Sequence, residues 1–204
     1  MHFGTKDIQE LQERKRANLI NCISGYKSAN LIATRSNDGF ENVAVFNSVV
    51  HFGSNPPILG FILRPTTVAR NTYDNIKENG FYTINHIHQG IFEEAHHTSA
   101  KYPKEISEFT KTNLKPEYKC DFFAPFVEGC KVQMALEFLE EYYIKANGTI
   151  MILGEIKHLF VEDTMIFDDG IVDLSKGKTA CINGLEAYAF PNSIVRLGYQ
   201  RPKE

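Results

Sequence analysis

The chain contains no tryptophan, and its 204 residues include only four cysteines. These are Cys22, Cys120, Cys130 and Cys181. No two form a C-x-x-C pair, which excludes a zinc ribbon and a thioredoxin-like motif. No apolar run approaches the length of a membrane span. The first sixteen residues are polar and lack the apolar core of a secretory signal. Neither sign of charge dominates: 22 basic and 25 acidic residues leave a formal net charge of −3. That balance gives no basis for binding nucleic acid or an anionic membrane surface. Two nucleotide loops are missing as well. There is no G-x-G-x-x-G opening a helix and no G-x-x-x-x-G-K-[ST], so neither a Rossmann fold nor a P-loop is indicated. Together these absences point to a reducing cytoplasmic home with four free thiols.

What is present suits a globular protein. Hydrophobic residues make up 43% and charged residues 23% of the chain, which excludes disorder. No repeat, low-complexity tract or linker divides it, so a single domain is expected over 1–204. It would carry an N-terminal helix over Lys6–Asn21 and a C-terminal extension.

Short β segments dominate the interior of the sequence. Leu31–Thr34 reads as a strand, and Ser36-Asn37-Asp38-Gly39 as a turn. Val43–Phe52 reads as one strand with Asn47 and Ser48 inside it, and polar groups in such a place need partners. Ile58–Leu63 is an apolar run between Pro57 and Pro65, short enough for a buried strand. A helix is predicted from Asn71 or Thr72 to Asn79-Gly80, then a strand from Phe81 to Asn85. Ile91–His97 and Glu105–Lys111 read as short helices, and Phe122, Phe123 and Phe126 as an aromatic knot. Alternation at Val132, Met134, Leu136 and Phe138, then at Ile150, Ile152, Ile156 and Phe160, predicts a hairpin over Lys131–Val161 turning at Asn147-Gly148. At least six β segments with short helices in the connections argue for a barrel or curved sheet.

The turn between Leu63 and the predicted helix is cationic and rich in hydroxyls: Arg64, Thr66, Thr67, Arg70 and Thr72. Guanidinium groups give forked, charge-assisted bonds, and a helix start offers free N–H groups to an anion. This set suits a phosphate. On composition alone a surface loop with two solvated arginines stays open.

Four blocks then fall into a familiar order and spacing. They are Asn42-Val43-Ala44-Val45-Phe46-Asn47-Ser48, Pro56-Pro57-Ile58-Leu59-Gly60-Phe61, Arg70-Asn71-Thr72 with Asn75-Ile76, and Gly80-Phe81-Tyr82-Thr83-Ile84-Asn85. Downstream, Thr98-Ser99-Ala100-Lys101-Tyr102-Pro103, Ser107-Glu108-Phe109 and Ala124-Pro125-Phe126 continue the pattern. Over about residues 30 to 160 the chain resembles the flavin reductase-like family of FMN-binding split β-barrels, flavoredoxin type. The resemblance implies a mainly β fold: a six-stranded antiparallel Greek-key barrel with short peripheral helices, usually a homodimer. It implies FMN near the subunit interface. By that resemblance Ala44, Val45, Phe46, Asn47 and Ser48 lie beside the ring and ribityl chain. Arg64, Thr67, Arg70, Asn71 and Thr72 grip the phosphate. Asn85 and His86 line the ring, and Ser99 joins the cofactor-binding set. The family often shows Lys-Asp-Thr where this chain has Arg70-Asn71-Thr72, which keeps a cation and the hydroxyl. The part beyond about Glu162 matches less well.

His86, His88, His96 and His97, with Glu93 and Glu94, invite a metal, but their spacing is that of no specific site and none is expected. Cys22 and Cys181 lie in apolar surroundings and read as core. Three functions stay open. The first is an oxidoreductase in which NADH or NADPH reduces bound FMN and electrons pass to a small-molecule or protein acceptor. A bound flavin carries that chemistry, so no catalytic acid or base need stand out. The second is a non-enzymatic FMN protein, an electron carrier or flavin holder. The third is an interaction module with an empty site.

Overall fold

The computed structural model describes residues 1–202. Sixteen helices and strands make up its frame. Helices α1 (Thr5–Glu10) and α2 (Glu13–Ile23) come first, then β1 (Lys27–Ser28), β2 (Asn30–Arg35), β3 (Glu41–Phe46), β4 (Val50–Ser54) and β5 (Pro57–Leu63). Helix α3 (Asn71–Asn79), β6 (Phe81–His86) and α4 (Phe92–His97) follow. The chain continues through β7 (Pro116–Glu117), β8 (Phe126–Val127), β9 (Val132–Ile144), β10 (Thr149–Val161), β11 (Cys181–Asn183) and β12 (Ala187–Ala189).

The main sheet has seven strands in the order β3-β2-β6-β9-β10-β5-β4, and every pairing is antiparallel. Its two faces bury different sets of side chains, because alternate residues of a strand point opposite ways. Ile32, Phe61, Tyr82, Ile84, Leu136 and Ile152 fill one core. Leu31, Ala33, Val43 and Ile87 face the other, under Ala95 of α4 and Ile182 of β11. The central strands β6 and β9 are therefore covered on both sides. Residues 132–136 are all buried, where alternation alone predicted one buried face. The hairpin otherwise spans the predicted range, with irregularities of register at Leu153/Gly154 and Ile156/His158.

Helix α3 runs as the sequence predicts. It buries Thr72, Asn75 and Ile76 and ends at Gly80, whose φ of 82° is the left-handed turn that glycine adopts without strain. Three expectations change. The N-terminal helix is two helices broken at Leu11-Gln12, neither with a buried residue, because Arg14, Lys15 and Arg16 leave no apolar stripe to pack. Residues 105–111 form only one 3-10 turn, Glu108–Thr110. The long strand over 43–52 is interrupted. Asn47 Nδ2 donates to Gly184 O at 2.9 Å, and Ser48 Oγ donates to Ile62 O at 3.0 Å while accepting from Ile62 N at 3.1 Å. These bonds draw the chain away from β2, and β4 pairs with β5 instead. The two polar residues have found protein partners.

Candidate functional site

The cationic turn leaves β5 at Leu63 and enters α3 at Asn71. Arg64 and Thr67 are exposed, and Arg70 is half-buried. Arg70 stands at the N-cap with no side chain capping the helix, so the first-turn N–H groups remain available. Its guanidinium makes one weak contact, Nη2 to Pro65 O at 3.5 Å, and its Nε is buried without a partner. A buried donor left unmade costs about 1–3 kcal/mol. An anion at this turn would satisfy it, so the donor set fits a phosphate.

Thr72 is different. It is 5% exposed, and its hydroxyl accepts from Asn42 Nδ2 at 3.0 Å, tying α3 to β3. Asn71 is half-buried at the first helical position. On β3, residues Ala44 and Phe46 share the face of Asn42, with Phe46 edge-on to Phe61 at 5.1 Å between ring centres. Val45 faces the other core. The edge of β3 is sealed by Glu108, 4% exposed, whose carboxylate accepts from Val43 N at 3.1 Å. Burial raises this acid's pKa, and the backbone bonds oppose that shift. Ser99 is exposed just beyond α4. The bonds between Ser48 and Ile62 bring the 47–49 break to the strand that leads into the cationic turn.

Asn85 and His86 do not share a face. Asn85 is 0% exposed and wholly engaged: Nδ2 donates to Leu31 O and Thr83 Oγ1, and Oδ1 accepts from Val127 N at 3.0 Å. It joins β6 to β8. His86, one residue on, turns to the opposite side. Its Nδ1 is buried without a partner. Burial pushes its pKa down to about 4, so the imidazole is neutral at pH 7. Its cross-strand neighbour is Asn30, 0% exposed, whose Oδ1 also lacks a partner. Asn30 carried no sequence signal of its own, being one more polar residue at a strand start.

Among the described residues no group of three or more His, Cys, Asp or Glu is placed to hold a metal. The histidines are dispersed: His88 Nδ1 accepts from Gly90 N, His96 meets the Tyr188 hydroxyl and His97 the Tyr102 hydroxyl. All four cysteines are free. Cys22 is exposed and Cys181 half-buried, against the expectation of core positions, because α2 packs no buried face over Cys22. Cys130 is the buried one. Among the described residues no helix is long and apolar enough to cross a membrane.

A family model described as flavin reductase like domain matches residues 24–173. The chain belongs to that family. A flavin reductase-type protein with a split barrel domain from Shewanella frigidimarina NCIMB 400 is 44% identical. It superposes with a TM-score of 0.94 over 98% of this chain and 100% of its own. Nitrilotriacetate monooxygenase component B from Bacillus cereus gives a TM-score of 0.83 at 16% identity, over 97% and 98% of the two chains. An FMN-binding protein from Thermus thermophilus, with bound 1-cyclohex-2-enone, gives 0.71 at 14% identity over 85% and 91%. The last two share the fold. The mainly β split barrel with short peripheral helices is thus the family's architecture. The seven-stranded antiparallel sheet is its form in this chain.

Proposed function

We propose that this protein is an FMN-binding oxidoreductase, in which NADH or NADPH reduces the bound flavin and electrons pass to a small-molecule or protein acceptor. The observation that carries the reading is Arg70. A half-buried guanidinium with an unmet Nε, at the uncapped start of α3, supports an anion site there. Membership of the flavin reductase-like family supports FMN as the source of that anion. Arg70 and Arg64 would hold the phosphate, with Thr67 and the backbone N–H groups of Asn71 and Thr72 beside them. Ala44–Ser48 would flank the ribityl chain and ring, with His86 facing the ring and Ser99 at the margin. Asn85 would act by joining β6 to β8.

FMN, when bound, supplies the hydride uptake and electron release. The chain's task is to position it and to bias its charge. Donors fixed at the polar edge of a flavin favour negative charge there. A neutral His86 can provide such a donor from Nδ1 without carrying a full charge of its own. Small residues such as Ala44 and Ser48 leave room for a nicotinamide on one face. We further propose a homodimer, to be tested by sedimentation, where a stable monomer of 23.2 kDa would count against it.

The deciding experiment is anaerobic titration of the FMN-loaded protein with NADH and NADPH. Bleaching of the flavin absorption by either supports the reductase. If both fail while dithionite succeeds, the protein is an electron carrier or flavin holder.

A further inference from the structure

Residues 191–202 have neither helix nor strand, and every one of them is exposed. They lie beyond residues 24–173, the part that the family model matches. Their side chains nevertheless alternate. Ile194 lines the wall of a cavity near the start of β2. Arg196 is laid on the turn at 167–170, where its guanidinium stacks on the Phe167 ring at 5.2 Å and meets the Asp169 carboxylate. Val195, Leu197 and Tyr199 are directed away from the body, 86%, 85% and 93% exposed. Inward at 194 and 196 and outward at 195, 197 and 199 is the period of an extended chain. The outward side is a row of three large apolar side chains with nothing over them. The backbone is unmet as well: among the described residues, no main-chain group from 191 to 200 pairs with another main-chain group. An exposed ion pair such as Arg196–Asp169 holds a segment in place only weakly.

The same chain carries a surface that matches this arm. On β4, β5 and β10, Val50, Phe52, Ile58, Ile62, Met151 and Leu153 belong to neither core. Met151 lies opposite Ile62, and both Leu153 and Val50 lie opposite Gly60. They therefore stand on the side of the sheet away from Phe61 and Ile152. Phe52 joins them across Gly60, where a Cβ would lie 2.6 Å from both Phe52 Cε2 and Leu153 Cδ2. Val50 and Phe52 remain nearly half exposed. These six side chains carry no charge, and the exposed Glu140, opposite Leu153, stands at their rim.

We infer that a second copy of this chain covers the arm, with Val195, Leu197 and Tyr199 seated on that copy's face of Val50, Phe52, Ile62 and Met151. This assembly rests on the homodimer reading above and adds a surface that forms it. Arm and face belong to one chain, so a two-fold axis satisfies each of them twice. Charge agrees, since neither apolar row carries any, and the exposed Arg201 just past the arm complements Glu140 at the rim of the face. Length agrees too: Val195 to Tyr199 spans about 13 Å of extended chain, against about 10 Å across β4, β5 and β10. The area is sufficient. Three such side chains expose on the order of 500 Å², so two arms with the faces they cover exceed the roughly 1,000 Å² of a specific interface.

Sedimentation of the full chain over a dilution series tests this, with the wild type beside the double variant Leu197→Ser, Tyr199→Ser. Both side chains are solvent-exposed, so the fold should be unaffected. The wild type should dimerise, and the variant dimer should dissociate at least tenfold more readily. A wild type that stays monomeric overturns the homodimer reading and the arm together. A dimer whose dissociation constant the double variant leaves unchanged overturns the arm alone. A second measurement needs no variant. In a mixture of ¹³C-methyl-labelled and unlabelled copies, isotope-filtered NOEs should run from the Val195 and Leu197 methyls of one copy to the Ile62 and Met151 methyls of the other. A sample that sediments as a dimer yet gives no such inter-copy signal overturns the inference.

Discussion

Truncating Arg70 separates a binding role from a structural one. In the free protein its guanidinium holds only the 3.5 Å contact to Pro65 O, and its Nε is buried with nothing to meet it. Arg70→Ala therefore removes little that stabilises the fold. Thermal or urea unfolding of the flavin-free variant should match wild type within about 0.5 kcal/mol. It could gain slightly, since an unmet buried donor disappears. FMN binding should respond in the opposite sense. A hydrogen bond to a charged group contributes roughly 1.5–3 kcal/mol, so FMN affinity should fall about 10- to 100-fold. Titration of the variant into FMN, read by flavin fluorescence, measures this directly. Riboflavin, which lacks the phosphate, should bind wild type and variant alike. The reasoning fails if FMN affinity is unchanged, or if riboflavin loses as much as FMN. Either result would remove Arg70 from the phosphate.

Four other outcomes are expected. A Cβ at Gly154 would lie 2.0 Å from Tyr82 Oη, so Gly154→Ala should cost about 1–3 kcal/mol in urea denaturation. Tyr82→Phe should cost nothing or stabilise, because the buried Tyr82 hydroxyl has no partner to lose. Glu108 has a raised pKa through burial. The folded state then holds its proton more tightly than the unfolded state, and stability falls as pH rises above the ordinary carboxylate value. Glu108→Gln, which keeps an acceptor for Val43 N, should flatten that slope and gain on wild type at pH 7. His86 has the opposite sign. Its folded pKa of about 4 lies below the ordinary 6.5, so its contribution is intact above pH 6.5 and is lost as pH falls toward 4. The loss is at most about 3 kcal/mol, and His86→Phe should abolish it in a pH series of melting temperatures.

The strands and α3 were legible because local patterning and tertiary packing agree there. Ile58–Leu63 is bounded by prolines, and Asn79-Gly80 ends the helix with the residue its left-handed cap needs. Legibility failed where long-range bonds decide. The break at Asn47-Ser48 depends on Gly184 and Ile62, distant in sequence, and no periodicity reports them. The same holds for Asn85, whose partner Val127 lies forty-two residues away. In the cationic turn the residue types pointed to an anion. They did not show that Thr72 is sealed against Asn42 while Arg70 is left unmet. Asn30 was illegible for a further reason. An asparagine at a strand start is ordinary, and its meaning arises only from lying opposite His86.

Residue type alone therefore does not identify the binding groups in this barrel. Which polar atoms the fold has already satisfied narrows the choice, and the unmet Tyr82 Oη shows that an orphaned atom is not on that ground a binding group. Asn85 has its amide fully engaged, Ser48 both donates to and accepts from Ile62, and Thr72 accepts from Asn42. Their truncation should register first in stability. Arg70 Nε, Asn30 Oδ1 and His86 Nδ1 are buried and unmet. Each burdens the fold by about 1–3 kcal/mol unless something fills its valence. They fall into two groups, a cation at the start of α3 and a neutral donor–acceptor pair where β2 and β6 meet. A phosphate suits the first, where the guanidinium brings a full positive charge. Hence FMN should raise the melting temperature of the wild type, and that increment should shrink in Arg70→Ala, while riboflavin, which lacks the phosphate, should raise both proteins alike.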